Sequence, residues 1–170
     1  KHLRVPGDPS SHPVWRSPEV AMRCTTRLVN LARKTGKRIH VLHISTAEEM
    51  VYLADHKDVA SVEVTPHHLT LDETAYTRLG TSHSGMTGVQ TLVPIMLDHV
   101  NAGKLTLQRF VDMTSAGPNR LFGIANKGRI AVGYDADLTI VDLKRRETIR
   151  NADVKSRAGW TPYDGVTVTG

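Results

Sequence analysis

The chain has 170 residues, enough for one domain with a sizeable core, or one and a fraction. Its 39% hydrophobic and 23% charged content excludes wholesale disorder, and no apolar stretch approaches the length of a membrane span. A formal charge of +5 invites a nucleic-acid reading, but the cations are dispersed and aromatics are only 5%, too few for a stacking platform. The densest basic run, Lys144-Arg145-Arg146, is followed at once by Glu147, so a mildly basic surface suited to anionic small molecules is the better expectation. The single cysteine, Cys24, cannot form an internal disulfide, and no basic-then-apolar leader opens the chain; a cytoplasmic location and no membrane attachment are expected.

Residues 1–16 carry Pro6, Gly7, Pro9 and Pro13 and read as an irregular loop. Ser17-Pro18-Glu19 then supplies a cap, a proline for the first helical position and an acid for the first turn. Val20, Ala21, Cys24, Leu28, Leu31 and Ala32 share one helical face, with Gly36 as the stop, so Cys24 is expected in the core. Residues 39–44 form a short β-prone run of the buried, parallel-sheet kind. Ser45 and Glu48 have the spacing of a capping box for a helix bearing Ala47, Met50, Val51 and Ala54. Residues 61–65 read as the next strand, broken by Pro66. Thr70 and Glu73 offer a second capping box, and Gly80 a terminator. This strict alternation of helix and strand implies a parallel α/β sheet.

Between Gly80 and Gly88 the alternation fails, and no strand precedes the helix that starts near Val89 and ends at Gly103. Thr106 can cap another short helix through Met113, followed by a Gly117-Pro118 turn and a helical piece to Phe122. Residues 128–142 read as two strands around a Gly-Tyr-Asp turn, with further β-prone pieces at Thr148-Ile149 and residues 166–168. We place a domain boundary at 124/125: residues 1–124 as a partial (β/α) barrel, residues 125–170 as a β-sandwich segment and tail.

His43 and His67 end consecutive predicted strands, where a barrel of alternating strands and helices keeps its ligands. Imidazole suits zinc, and catalytic zinc sites leave one position open to water. The alternative is that nine histidines place some near strand ends by chance. His40, three residues before His43, is expected to be structural, and His68 either orients His67 or faces solvent. Residues 84–88, Ser-Gly-Met-Thr-Gly before a helix, either present N–H groups to an anion or form a plain loop. Turn chemistry is preferred over a metal pair for Asp135 and Asp137.

The segments His40-Val41-Leu42-His43-Ile44-Ser45 and Val64-Thr65-Pro66-His67-His68-Leu69 resemble two metal-site segments of dihydroorotases, members of the amidohydrolase superfamily. The resemblance continues through residues 84–91, 114–118, 128–142 and 159–165, in the family's order and over nearly the whole chain. It implies a (β/α)8 TIM barrel of the metal-dependent hydrolase type, with part of a small β-sandwich at the C-terminus. It implies a zinc site, binuclear in the complete enzyme, with His43 and His67 as metal ligands and Ser84 and Gly85 in the loop that touches substrate. The implied reaction is reversible hydrolysis of dihydroorotate to carbamoyl aspartate in pyrimidine synthesis. In it a metal-activated water attacks the ring carbonyl and an aspartate shuttles the proton. The partner is a small molecule, with neither nucleic acid nor membrane, and homo-oligomerisation is left open.

The family's His-x-His pair, its Asp-His-Ala-Pro-His stretch with the catalytic aspartate, and its substrate-gripping arginine and asparagine have no counterpart in this sequence. No catalytic residue is therefore assigned. A closed barrel needs about 250 residues, so the chain is expected to be a fragment with an internal deletion, and inactive in isolation. The alternatives are a relative of allantoinase or dihydropyrimidinase type, and a non-catalytic dihydroorotase-like partner subunit.

Overall fold

The structure is a computed structural model that describes residues 3–80 and 85–170. The chain divides into two compact units, Lys1–Met86 and Thr87–Gly170. This division falls well before the boundary expected at 124/125.

In the first unit, a 3-10 turn (Pro9–Ser11) leads into α1 (His12–Trp15) and then α2 (Pro18–Thr35). Pro18 opens α2 and Gly36, at φ 64°, closes it with its N–H on the Ala32 and Arg33 carbonyls. The buried stripe of α2 is Thr25, Val29 and Ala32, the edge that meets β1 and α3. The apolar face expected from sequence is thus rotated: Val20, Leu28, Leu31 and Cys24 are exposed. Thr25 enters the core because a carboxylate waits there for its hydroxyl.

β1 (Ile39–Val41) and β2 (Ala60–Val62) pair in parallel, with His40 opposite Ser61 and Val41 opposite Val62. They are joined by α3 (Ala47–Ala54), capped by Thr46, whose hydroxyl accepts the Glu49 N–H. The capping box expected at Ser45 and Glu48 is therefore formed one residue later, by Thr46 and Glu49. Val29, Val41, Ile44, Leu53 and Ala60 make the core of this unit, with Ile39, Tyr52 and Val59 packed on it. Burial of these side chains stabilises the unit by about 1.5–3 kcal/mol each for the larger ones.

α4 (Pro66–Thr70) is separated from β2 by three residues, and α5 (Thr74–Leu79) ends at Gly80, φ 64°. The box expected between Thr70 and Glu73 does not form. Glu73 makes no capping bond, and the Asp72 carboxylate takes the Thr74 N–H instead.

The second unit starts with α6 (Val89–Asn101), followed by α7 (Leu107–Val111), capped by the Thr106 hydroxyl. A π-helical turn (Asp112–Ala116) then runs without a break into α8 (Gly117–Phe122). The Gly117-Pro118 turn expected from sequence is absent, because Pro118 sits in the first turn of α8, where its lost N–H has no helical partner to miss. Met96, Leu97 and Phe110 form this core, with Leu92, Val93, Val100, Leu105 and Leu143 against it.

β3 (Arg146–Thr148) and β4 (Thr167–Thr169) form an antiparallel pair joined through a 3-10 turn (Asn151–Asp153) and the buried Thr161, Pro162 and Tyr163. Side chains of α6 hold this hairpin by its backbone. Gln90 bonds the Asp153 carbonyl and the Lys155 N–H, Asp98 the Thr169 N–H, and Asn101 the Leu143 and Thr169 carbonyls. The two strands expected in residues 128–142 are not formed. Ile130, Val132 and Ile140 are 91%, 105% and 97% exposed, since no described strand offers them a ladder or a face to bury.

Candidate functional site

The C-terminal end of β1 and the segment following β2 converge on a group of imidazoles around one carboxylate. Parallel pairing puts the exits of β1 and β2 side by side, and the ladder continues past the strands through Glu63 N–H to Val41 O and Ile44 N–H to Glu63 O, both 3.1 Å. Those two bonds bracket His43, whose backbone takes the left-handed φ of 55°. His43 Nδ1 lies 2.7 Å from Glu63 Oε1, and His40 Nε2 lies 3.4 Å from the other carboxylate oxygen. His40 Nδ1 is 2.9 Å from Ser61 Oγ, its partner across the ladder, so His40 is tied into the sheet.

His67 and His68 enter from the first turn of α4. Pro66 at the first helical position opens α4, four residues past the end of β2, and fixes the direction in which the two rings leave. The Thr65 hydroxyl lies 3.0 Å from His67 Nε2 and 2.8 Å from His68 Nδ1. One hydroxyl has one proton, so it donates to one ring and accepts from the other, which gives the two imidazoles complementary tautomers. Their centroids are 4.5 Å apart, and His68 stacks on His43 at 6.2 Å.

Burial, and then the neighbouring His43, hold the His67 pKa below the usual histidine value. Burial, followed by His67 and His43, does the same to His68. At neutral pH both rings are therefore uncharged and keep a lone pair for a proton or a metal. The sheet thus brings His43 and His67 into one cluster. Gly85 stands at φ 121° with no hydrogen bond to this cluster among the described residues, and Ser84 lies outside the described residues. Glu63 was missed at the sequence level: it lies two residues beyond Ser61 on the same face, and only the register with β1 brings it to His43.

The donor type suits a zinc-like metal, since neutral imidazole nitrogens are its common ligands. The number falls short: among the described residues no group of three or more His, Cys, Asp or Glu is placed to hold a metal ion. Also among the described residues, no helix is long and apolar enough to cross a membrane. Asp135 and Asp137, the other acidic pair, are occupied by Lys127, which lies 2.9 Å from Asp135 and also pairs with Asp137.

Parallel strands with histidines beyond one end agree with the barrel-type hydrolase scaffold expected from sequence, and residues 11–169 match the amidohydrolase family. The chain belongs to that family. Among its curated relatives, the dihydroorotase of Pyrococcus furiosus is 34% identical over 91% of this chain and 47% of its own length. The dihydroorotase of Methanosphaera stadtmanae is 29% identical over 88% of the chain and 46% of its own length. Among solved structures, the L-hydantoinase (dihydropyrimidinase) of Arthrobacter aurescens superposes with a TM-score of 0.83 at 24% identity, over 95% of this chain and 47% of that one. A D-hydantoinase gives a TM-score of 0.84 at 20% identity.

The fold is accordingly a partial (β/α)8 barrel of the metal-hydrolase type. The chain spans about half the length of the curated relatives it matches. The Pyrococcus furiosus alignment runs over 196 positions but takes in only 91% of 170 residues, so roughly forty positions of the relative have no counterpart here. An alignment longer than the stretch of chain it covers agrees with the expected internal deletion.

Proposed function

We propose that this chain is the half of a dihydroorotase-like, zinc-dependent cyclic amidohydrolase that supplies His43 and His67 to the metal. The complete enzyme would hydrolyse dihydroorotate reversibly to carbamoyl aspartate in cytoplasmic pyrimidine synthesis, a small-molecule reaction without nucleic acid or membrane. The observation that carries the reading is the pairing of β1 with β2, which sets two histidines, one of them held neutral, at neighbouring strand exits. The choice of dihydroorotate rests on the dihydroorotase relatives. The hydantoinase likeness, at 20–24% identity, concerns the fold alone.

In this reading His43 and His67 are two of the metal donors, Thr65 orients the His67 ring, and residues 84–85 belong to the substrate loop. The zinc, when bound, would polarise the ring carbonyl and bring a water's pKa toward neutrality. Residues 125–170 would form the C-terminal sandwich segment. The 170-residue polypeptide alone should not turn over dihydroorotate, because two imidazoles lack the further donors and the proton-shuttling acid that the reaction needs.

The test is a zinc titration of the chain followed by the ring NMR signals of 13C-labelled histidine. The His43 and His67 signals should respond together, and His43→Ala should suppress the His67 response. Rings that ignore zinc would overturn the ligand assignment. Robust dihydroorotate hydrolysis by this polypeptide would overturn the predicted inactivity.

A further inference from the structure

Glu49 is a buried acid, 5% exposed, that the proposed chemistry does not use. Its carboxylate receives the Thr25 hydroxyl at 2.6 Å on one oxygen and the Thr46 hydroxyl at 3.0 Å on the other. Thr25 is itself 3% exposed, and among the described residues no cation pairs with Glu49. A capping interaction alone explains Thr46, whose hydroxyl accepts the Glu49 N–H. It does not explain Thr25, a polar residue buried in α2 where the apolar stripe would place an aliphatic one. Burying a hydroxyl and a carboxylate is costly unless each is hydrogen-bonded, so the bridge has a geometric job to offset that cost.

The job is legible from where the bridge is anchored. Thr46 lies three residues beyond His43, whose left-handed backbone persists only where its surroundings over-determine it. The strand side of that turn is pinned by Val41 O, which accepts the Glu63 N–H, and its middle by Ile44 N–H on Glu63 O. The helix side is pinned by Thr46, through Glu49, to Thr25 on α2. We propose that the Thr25–Glu49–Thr46 bridge is a positioning element for His43, fixing the direction in which its ring leaves β1. Its relevance to a metal rests on the ligand assignment above, but the positioning itself does not.

The experiment measures inter-ring NOEs between His43 and His68 in the metal-free chain, for the wild type and for Thr25→Val, Glu49→Ala and Glu49→Gln. Thr25→Val removes one hydroxyl and keeps the shape and helix propensity of the site. Thr25→Val and Glu49→Ala should weaken the NOEs at least about threefold, because a change of staggered well swings the ring away from its neighbour. Glu49→Gln, which can still accept from Thr25, should restore them. NOEs unchanged in folded Thr25→Val protein would overturn the proposal, and that variant decides even where Glu49→Ala fails to fold. Zinc added to the wild type reads the ligand assignment separately. Silent rings there, with the NOE loss still seen in Thr25→Val, would sink the assignment and uphold the positioning.

Discussion

Glu63 Oε1 stands 2.7 Å from His43 Nδ1, on a strand residue whose N–H and C=O also bond the segment carrying His43. One residue thereby fixes the His43 backbone and caps its ring. Its side chain and that of His43 are 39% and 59% exposed, so solvent screens the contact strongly. Glu63→Gln should therefore lower stability by only about 0.5–1 kcal/mol, measured as a shift in the urea midpoint. A loss of several kcal/mol would mean that the carboxylate carries more than this one contact.

Acid should destabilise the first unit through its histidines. His67, His68 and His12 all have folded-state pKa values held below the ordinary 6.5 by burial, with help from neighbouring His43 and His67 or, for His12, Arg16. The unfolded chain then binds more protons than the folded one between the folded values and about 6.5, so stability rises with pH in that window. It is fully present above about pH 6.5 and declines as pH falls below it. Thermal midpoints measured in metal-free buffer from pH 7.5 to 5.0 should fall, and His68→Asn should flatten the decline. A flat profile in the wild type would contradict the burial assigned to these rings.

Gly117 reverses a familiar expectation. Within a helix, Gly→Ala ordinarily stabilises by about 1 kcal/mol. Here a Cβ would meet the Asp112 carbonyl oxygen at 2.5 Å, and that carbonyl already accepts the Gly117 N–H in the π turn. Gly117→Ala should destabilise by roughly 1–3 kcal/mol, and a chemical denaturation curve gives the sign directly.

Asp98 ties β4 to α6 by accepting the Thr169 N–H at 2.9 Å. Asp98→Ala should release that end of the hairpin at about 1–2 kcal/mol, with faster amide exchange at Val168 and Thr169. Exchange unchanged there would show that the apolar contact of Val168 holds the strand unaided.

Ile130 and Ile140, at 91% and 97% exposed, should accept threonine with stability unchanged within about 0.5 kcal/mol. Higher solubility at equal stability is the expected result. A marked loss would place these side chains in a contact absent from the described structure.

The elements with strong local grammar were readable in the sequence. Pro18 and Gly36 bound α2, Thr106 caps α7, and the runs around Ile39 and Ser61 pair in parallel as their apolar character suggested. What escaped was set by tertiary partners. Thr25 looks like a solvent residue until Glu49 is placed opposite it, and Cys24 looks like core until its neighbour takes the buried edge. Residues 128–142 have a strand's alternation but no described strand to pair with, so pattern alone misled. In the site, the histidines were visible as residue types at strand exits. Glu63 was not, because a lone glutamate on a strand acquires meaning only from the register that sets it beside His43.

The unit β1–α3–β2 is contiguous in the chain, and apart from the Thr25 hydroxyl on α2, what relates His43 to the His67–His68 pair lies between the start of β1 and the first turn of α4. The neighbouring strand is also the next strand, so no distant segment is needed to set the distance between them. Residues beyond α4 can be lost without disturbing that relationship. The pair behaves as a cassette, whose geometry travels with the stretch of sequence from α2 to α4.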